Sequence, residues 1–289
     1  MLCLRQPPYD DISTKKLGPR FGLLSAELNN MSVEATLKRL GEQHPWPESR
    51  PPMDPVPWSM DYGGRRLITD LIVSRDIRLL LEIGSFLGGS ARQWLEASPT
   101  VMVVCIDPWL DISGPRPLMD AHPVGRLFGQ QLRRPGGLYD SFLSSMWELK
   151  ARVTPVRGKA ADVLTDLHQL GLRPDLIYID ADKKGDEIAI CDELFPDALI
   201  GGDDWNWSDG YEFTIRNPAR KSAFKRKRFL KHFGNTWLID DRPWSLSERL
   251  LQLKDAPRGY AQVMHSFLRR MIGKTSGGTR RKVCSSTVV

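Results

Sequence analysis

The chain has 289 residues, of which 41% are hydrophobic, and its 41 basic and 35 acidic side chains leave a net charge of +6. That length supports a sizeable core, as one large domain or one domain with extensions. No apolar run approaches the roughly 20 residues that span a bilayer, and MLCLRQPPYDD has no apolar stretch before its prolines, so neither a membrane span nor a secretory signal is expected.

Residues 1–58 read as an N-terminal extension. SVEATLKRLGEQ (32–43) predicts a short helix capped by Ser32, with Val33, Leu37 and Leu40 on one face. PWPESRPPMDPVPW (45–58) carries six prolines, which forbid helix and favour an extended linker. The pattern then changes. GRRLITDLIVSR predicts a helix with Leu67, Leu71 and Ile72 inward. RLLLEIG, VMVVCID, RVTPVRG, DLIYIDAD and DALIGGDD follow as short apolar runs, each ending in Gly or Asp. Helical stretches separate them: ARQWLEA, GLYDSFLSSMWELKA, ADVLTDLHQL and GDEIAICDELF. Continuous apolar strands alternating with helices predict an α/β fold, a doubly wound Rossmann-like sheet, mostly parallel, with helices on both faces. TWLID supplies one more strand and WSLSERLLQL a following helix. The main domain thus covers 59–250, and 251–289 is expected to be a C-terminal helix and a basic, disordered tail. Cys3, Cys105, Cys191 and Cys284 form no CxxC pair, which predicts free thiols in a reducing cytoplasm.

In open parallel sheets ligands bind at the carboxyl ends of the strands, where chain order reverses. LLLEIGSFLGGS (79–90) is the natural candidate: Gly84 and Gly88 allow close backbone approach, and Ser90 can cap the next helix. Its G-x-x-x-G-G spacing departs from the dinucleotide fingerprint G-x-G-x-x-G, and Glu82 before it would repel a pyrophosphate while suiting a cationic ligand. VMVVCIDPW ends in Asp107, where a carboxylate can accept both ribose hydroxyls, and Trp109 can stack on an adenine face. The third run ends at Gly158, bringing the amides of Ala160 and Ala161 to the same pocket. Acid, glycines, ribose acid and adenine wall together describe S-adenosylmethionine.

With these motifs on view, residues 59–205 resemble a class I methyltransferase of the catechol and caffeoyl-CoA O-methyltransferase group, which includes bacterial metal-dependent sugar O-methyltransferases. LEIGSFLGGSA resembles the group's first motif, VTPVRGKAADVL its adenine loop, and DLIYIDADK with LIGGDDW its catalytic pair. SMDYGGRRL stands where the family touches the methionine end of the cofactor. The resemblance implies cofactor contacts from Ser59, Met60, Glu82, Gly84, Ser85, Phe86, Gly88, Ser90, Asp107, Pro108, Trp109, Gly158, Lys159, Ala160 and Asp180.

Asp180 closes one predicted strand, and Asp203 and Asp204 close the next. Neighbouring strands lie about 5 Å apart, so the three carboxylates should converge, at a cost unless something positive joins them. Oxygen-only ligands suit Mg²⁺, and the resemblance implies a divalent metal on Asp180, Asp203 and Asp204. Asp204 stands where many relatives carry Asn. Lys183, three residues after Asp180, falls where the catechol-type enzymes keep their general base, which makes Lys183 and Asp180 the expected catalytic residues. The implied chemistry is in-line methyl transfer to a metal-chelated hydroxyl of a catechol, hydroxylated aromatic or sugar diol. The five histidines show no ligand spacing, although His122 lies in a loop that could reach the cleft.

Basic residues crowd RKSAFKRKRFLKHF (220–233) and RRKV (280–283). They raise two alternatives, an RNA methyltransferase and a non-catalytic cofactor-binding scaffold for an acidic partner. IDADK lacks the aromatic of the D-P-P-Y motif of base methyltransferases, and a scaffold has no need of an acid cluster. The expected partners are a small-molecule acceptor with hydroxyl groups, with no membrane, no nucleic acid, and a homodimer as an admissible assembly.

Overall fold

The computed structural model describes residues 32–57, 64–112, 114, 120, 123–181, 185–208 and 213–250. Ser59, Met60, His122, Asp182, Lys183 and the C-terminal 251–289 lie outside the described residues.

The five predicted apolar runs are parallel strands: β1 (Leu79–Ile83), β2 (Met102–Asp107), β3 (Val153–Arg157), β4 (Leu176–Ile179) and β5 (Leu199–Gly202). Two more strands, β6 (Phe229–Phe233) and β7 (Thr236–Asp240), complete the order β3-β2-β1-β4-β5-β7-β6, with β7 antiparallel to both neighbours. TWLID is therefore the strand its composition predicts, and residues 246–250 beyond it are helical. The chain winds outward from β1 through β2 to β3, then returns to β4 on the other side of β1. Chain order reverses between β1 and β4, so a ligand crevice is expected at their carboxyl ends.

Helices cover both faces of the sheet because strand side chains alternate. Leu80, Val103, Leu176 and Tyr178 join one core layer with α2 (Arg65–Ser74), α3 (Gly89–Ala97), α4 (Pro123–Leu132) and α5 (Gly137–Met146). Leu81, Val104, Ile177 and Ile200 join the other with α6 (Ala160–Gln169), α7 (Asp186–Leu194) and α8 (Arg216–Arg226). The fold class is α/β, doubly wound and Rossmann-like. In the extension, α1 (Val33–Gln43) is capped by Ser32, and its Leu37 and Leu40 pack into the second layer. The proline-rich stretch is strapped to the domain: Trp46 Nε1 donates to the Val153 carbonyl (2.9 Å), Arg50 to the Ser144 hydroxyl (3.1 Å), and the Val56 amide to the Ser145 hydroxyl (2.9 Å). Cys105 and Cys191 are buried free thiols.

The basic run 220–233 is not one solvated face. Its first part completes α8 and its last part is β6. Arg226 pairs with Asp192 and donates to the carbonyls of Cys191, Phe195, Pro196 and Ala198, which ties α8 to the end of α7. Lys231 is 1% exposed and meets Asp240 (2.7 Å) and Glu248 (2.8 Å). Among the described residues, no helix is long and apolar enough to cross a membrane.

Candidate functional site

A carboxylate stands at the end of each of the four central strands. Glu82 is the fourth residue of β1 and Asp107 the last of β2, while Asp180 and Asp203 directly follow β4 and β5. Ladder bonds hold these ends in step: the Asp180 amide donates to the Ile83 carbonyl (2.8 Å) and the Asp203 amide to the Ile179 carbonyl (3.0 Å). The sheet places Glu82 between Cys105 of β2 and Tyr178 of β4.

The glycine turn follows β1 as expected, but its glycines answer first to the chain itself. Gly84 has φ +90°, and a Cβ there would lie 2.2 Å from the Asp180 carbonyl oxygen. Gly88 has φ +79°, and its Cβ would lie 2.7 Å from Met146 Sδ. The turn is thus drawn against the β4 end on one side and α5 on the other, conformations that only glycine adopts cheaply. Gly88, not Ser90, is the N-cap of α3. The Ser90 hydroxyl donates instead to Glu82, whose other oxygen faces the Cys105 thiol at 3.6 Å. Glu82 is fully enclosed, and burial raises its pKa against the opposing Ser90 bond. It is the floor beneath the turn, without an open face for direct ligand contact. Ser85, also expected to face the cofactor, is buried at 2% exposure with its hydroxyl unpartnered among the described residues.

Asp107 accepts the backbone amides of Trp109 (2.7 Å) and Phe86 (3.0 Å), one on each oxygen. Burial raises its pKa and those amides lower it. An ionised carboxylate has about four acceptor positions, so capacity remains for a ligand hydroxyl. The Asp107 carbonyl accepts the Gly158 amide (3.1 Å), which brings the start of α6 alongside, with exposed Lys159 as its N-cap and half-buried Ala160 as its first residue. Phe86 and Pro108 are likewise half-buried. Trp109 requires a correction. It adopts φ +39°, which turns the indole into the core, where it is fully buried against Tyr139 (4.9 Å) and Phe142 (4.6 Å), with Nε1 donating to the Phe86 carbonyl (2.6 Å). No face of that ring is open to an adenine.

Asp180 and Asp203 converge, as their strand-end positions predict, but around a residue missed in the sequence. Arg65, the first residue of α2, puts Nη2 3.4 Å from Asp180 Oδ2 and 3.7 Å from Asp203 Oδ2. The side chains are 6% exposed for Arg65, 24% for Asp180 and 7% for Asp203. Two carboxylates and one guanidinium leave a net negative charge in a buried space. Asp203 is accordingly pushed up to about 7, by burial first and by Asp180 next, against the pull of Arg65. Burial alone would lower the Arg65 pKa, but Tyr178, Asp203 and Asp180 raise it, so it stays charged. Asp203 Oδ1 is buried with no hydrogen-bond partner among the described residues. Asp204 is half-buried, at φ +64°. A cation opening a helix opposes the helix dipole, but nothing in the sequence ties Arg65 to acids more than a hundred residues later.

These residues do not fit the expected divalent metal. A cation already bridges the acid pair, and a metal ion about 4 Å from it would meet repulsion on the order of 8 kcal/mol at an effective dielectric of about 20. Among the described residues, no group of three or more His, Cys, Asp or Glu is arranged to hold a metal ion. The described histidines lie in other packing, with His232 stacked on Trp205 (4.8 Å) and His168 edge-on to Phe195 (5.7 Å).

No protein-family model matches the chain, and neither does any curated protein sequence. Among solved structures, the O-methyltransferase TomG from Streptomyces achromogenes, in complex with S-adenosylmethionine, is similar at 18% identity and a TM-score of 0.41, over 77% of this chain and 98% of that one. The Podospora anserina methyltransferase PaMTH1, bound to S-adenosylhomocysteine, is similar at 16% identity and a TM-score of 0.39, over 76% of this chain and 94% of that one. Likeness at this level decides neither family nor activity.

Proposed function

We propose that this chain transfers a methyl group from S-adenosylmethionine to a hydroxyl oxygen of a small molecule. The observation that carries the reading is the row of four carboxylates, Glu82, Asp107, Asp180 and Asp203, at the carboxyl ends of four adjacent strands astride the switch between β1 and β4. Such a row repels a pyrophosphate and attracts a ligand that carries a sulfonium and an ammonium. The cofactor supplies an electrophilic methyl group on sulfur: the C–S bond breaks as the O–C bond forms, and the acceptor hydroxyl gives up its proton.

This chain's residues then divide the work. Asp107 accepts ribose hydroxyls with the positions its two amide bonds leave free, and Phe86, Pro108, Lys159 and Ala160 border that end. Glu82 and Ser90 fix the turn from below, which keeps the crevice in one shape before a ligand arrives. Asp180 and Asp203, held by Arg65, face the other side with negative charge that favours the sulfonium. Lys183 is the proposed acceptor of the hydroxyl proton, on its chain position three residues past Asp180. No step is assigned to a metal.

Thermal unfolding with added ligands tests the reading. S-adenosylmethionine and S-adenosylhomocysteine should each raise the melting temperature, NAD should not, and Asp107→Ala should remove most of the rise. Stabilisation by NAD alone would overturn it.

A further inference from the structure

We propose that Arg65 is the resident cation of the Asp180–Asp203 pair and closes it to divalent metal ions, so that the methyl transfer above proceeds without one. The inference rests on that reading for its consequence, while the closure itself rests on the geometry of three side chains.

One nitrogen, Arg65 Nη2, faces both carboxylates, at 3.4 Å and 3.7 Å, so it occupies the point at which their negative potentials add. Helix formation does not explain a cation at that position. Arg65 is the first residue of α2, and the free amides of a helix start already carry partial positive charge. The two acids are what make the position tolerable, and the three groups are one unit.

The unit cannot open easily. Gly64, the N-cap of α2, has φ +112°, and a Cβ there would lie 1.9 Å from the Phe233 carbonyl oxygen. The helix start is therefore held close against the end of β6, one residue before Arg65. Nor can the charge be shed, because a guanidinium does not deprotonate in proteins as a buried lysine can. A divalent ion would have to displace a fixed, desolvated cation from the partners that neutralise it. The expectation of metal-bound vicinal oxygens is thereby replaced: a single hydroxyl suffices, and selection of the acceptor falls to the shape of the crevice.

The test is a titration of the cofactor-free full chain with Mn²⁺, followed by the electron paramagnetic resonance signal of the free ion. The wild type should leave that signal unchanged with protein and ion both micromolar. Arg65→Ala should take up one equivalent, with affinity raised at least about tenfold by the loss of like charge, and Asp203→Asn added to it should abolish the uptake. Arg65→Lys, whose charge can be shed on burial, should bind Mn²⁺ more tightly than the wild type and more weakly than Arg65→Ala. Stoichiometric uptake by the wild type that Asp203→Asn removes overturns the proposal, and so does a folded Arg65→Ala with no gain. If Arg65→Ala does not fold, Arg65→Gln serves in its place, and the wild-type titration still decides. Because the cofactor is absent, failure here is distinct from failure of the methyltransferase reading, which would appear as loss of S-adenosylmethionine binding with the Mn²⁺ result intact.

Discussion

On the β1–β2 side of the site the acids find partners within the segment after β1 and at the end of β2. Glu82 accepts from Ser90, eight residues on, and Asp107 from the amides of Phe86 and Trp109, the latter two residues away. On the β4–β5 side, Asp180 depends on a guanidinium 115 residues earlier. The first half is completed by the segment that follows β1, through Ser90 and the Phe86 amide, and by the end of β2. The second is completed only when α2 docks, and it keeps a surplus negative charge and an unpartnered carboxylate oxygen on Asp203. In the proposed function the first half binds and the second half meets the reacting groups.

The comparison can be broken most sharply at Arg65. Arg65→Ala should cost about 3–5 kcal/mol in urea unfolding, because it leaves buried carboxylates uncompensated. A loss below about 1 kcal/mol would mean that the long-range half does not depend on it. Ser90→Ala tests the local half, where Glu82 loses its buried donor, and a cost of about 1–3 kcal/mol is expected.

Proton linkage offers a finer test. Asp203 rises from 3.8 unfolded to about 7 folded, so the folded chain holds an extra proton between those values. Its contribution to stability is greatest at low pH, declines as pH rises through about 4 to 7, and is constant above that. Glu82 and Asp107 are also raised, and their slopes point the same way. The difference between wild type and Asp203→Asn isolates this group: the variant should show a shallower decline. An unchanged slope would place the raised proton elsewhere. The smallest effect belongs to the basic run, where Lys225→Ala, on the exposed side of α8, should change stability by no more than about 0.5 kcal/mol. Arg226→Ala, which removes a buried ion pair and carbonyl contacts, should cost several times that.

The same contrast explains what the sequence could reveal. The five parallel strands are legible because burial on both faces makes them continuous apolar runs, and strand-end acids are legible because a strand has one end. Ser90 as a cap and Trp109 as a wall went astray for one reason: a positive φ at Gly88 and at Trp109 redirects the side chains that follow, and hydrophobic pattern carries no trace of φ. Strand β6 hid inside a basic run because Lys231 is neutralised by Asp240 and Glu248, partners reached only through the hairpin and the turn beyond it. Arg65 stood within the GGRRL stretch, yet its role depends on two carboxylates more than a hundred residues away.

The most direct measurement of the central claim is calorimetric titration of the full chain with S-adenosylhomocysteine, with and without EDTA, for the wild type and Asp107→Ala. One site per chain is predicted, with the same affinity in EDTA and at least about tenfold weaker in Asp107→Ala, the loss of hydrogen bonds to a charged group. No heat of binding in the wild type, or binding untouched by Asp107→Ala, would contradict a cofactor seat at the β1–β2 end of the crevice.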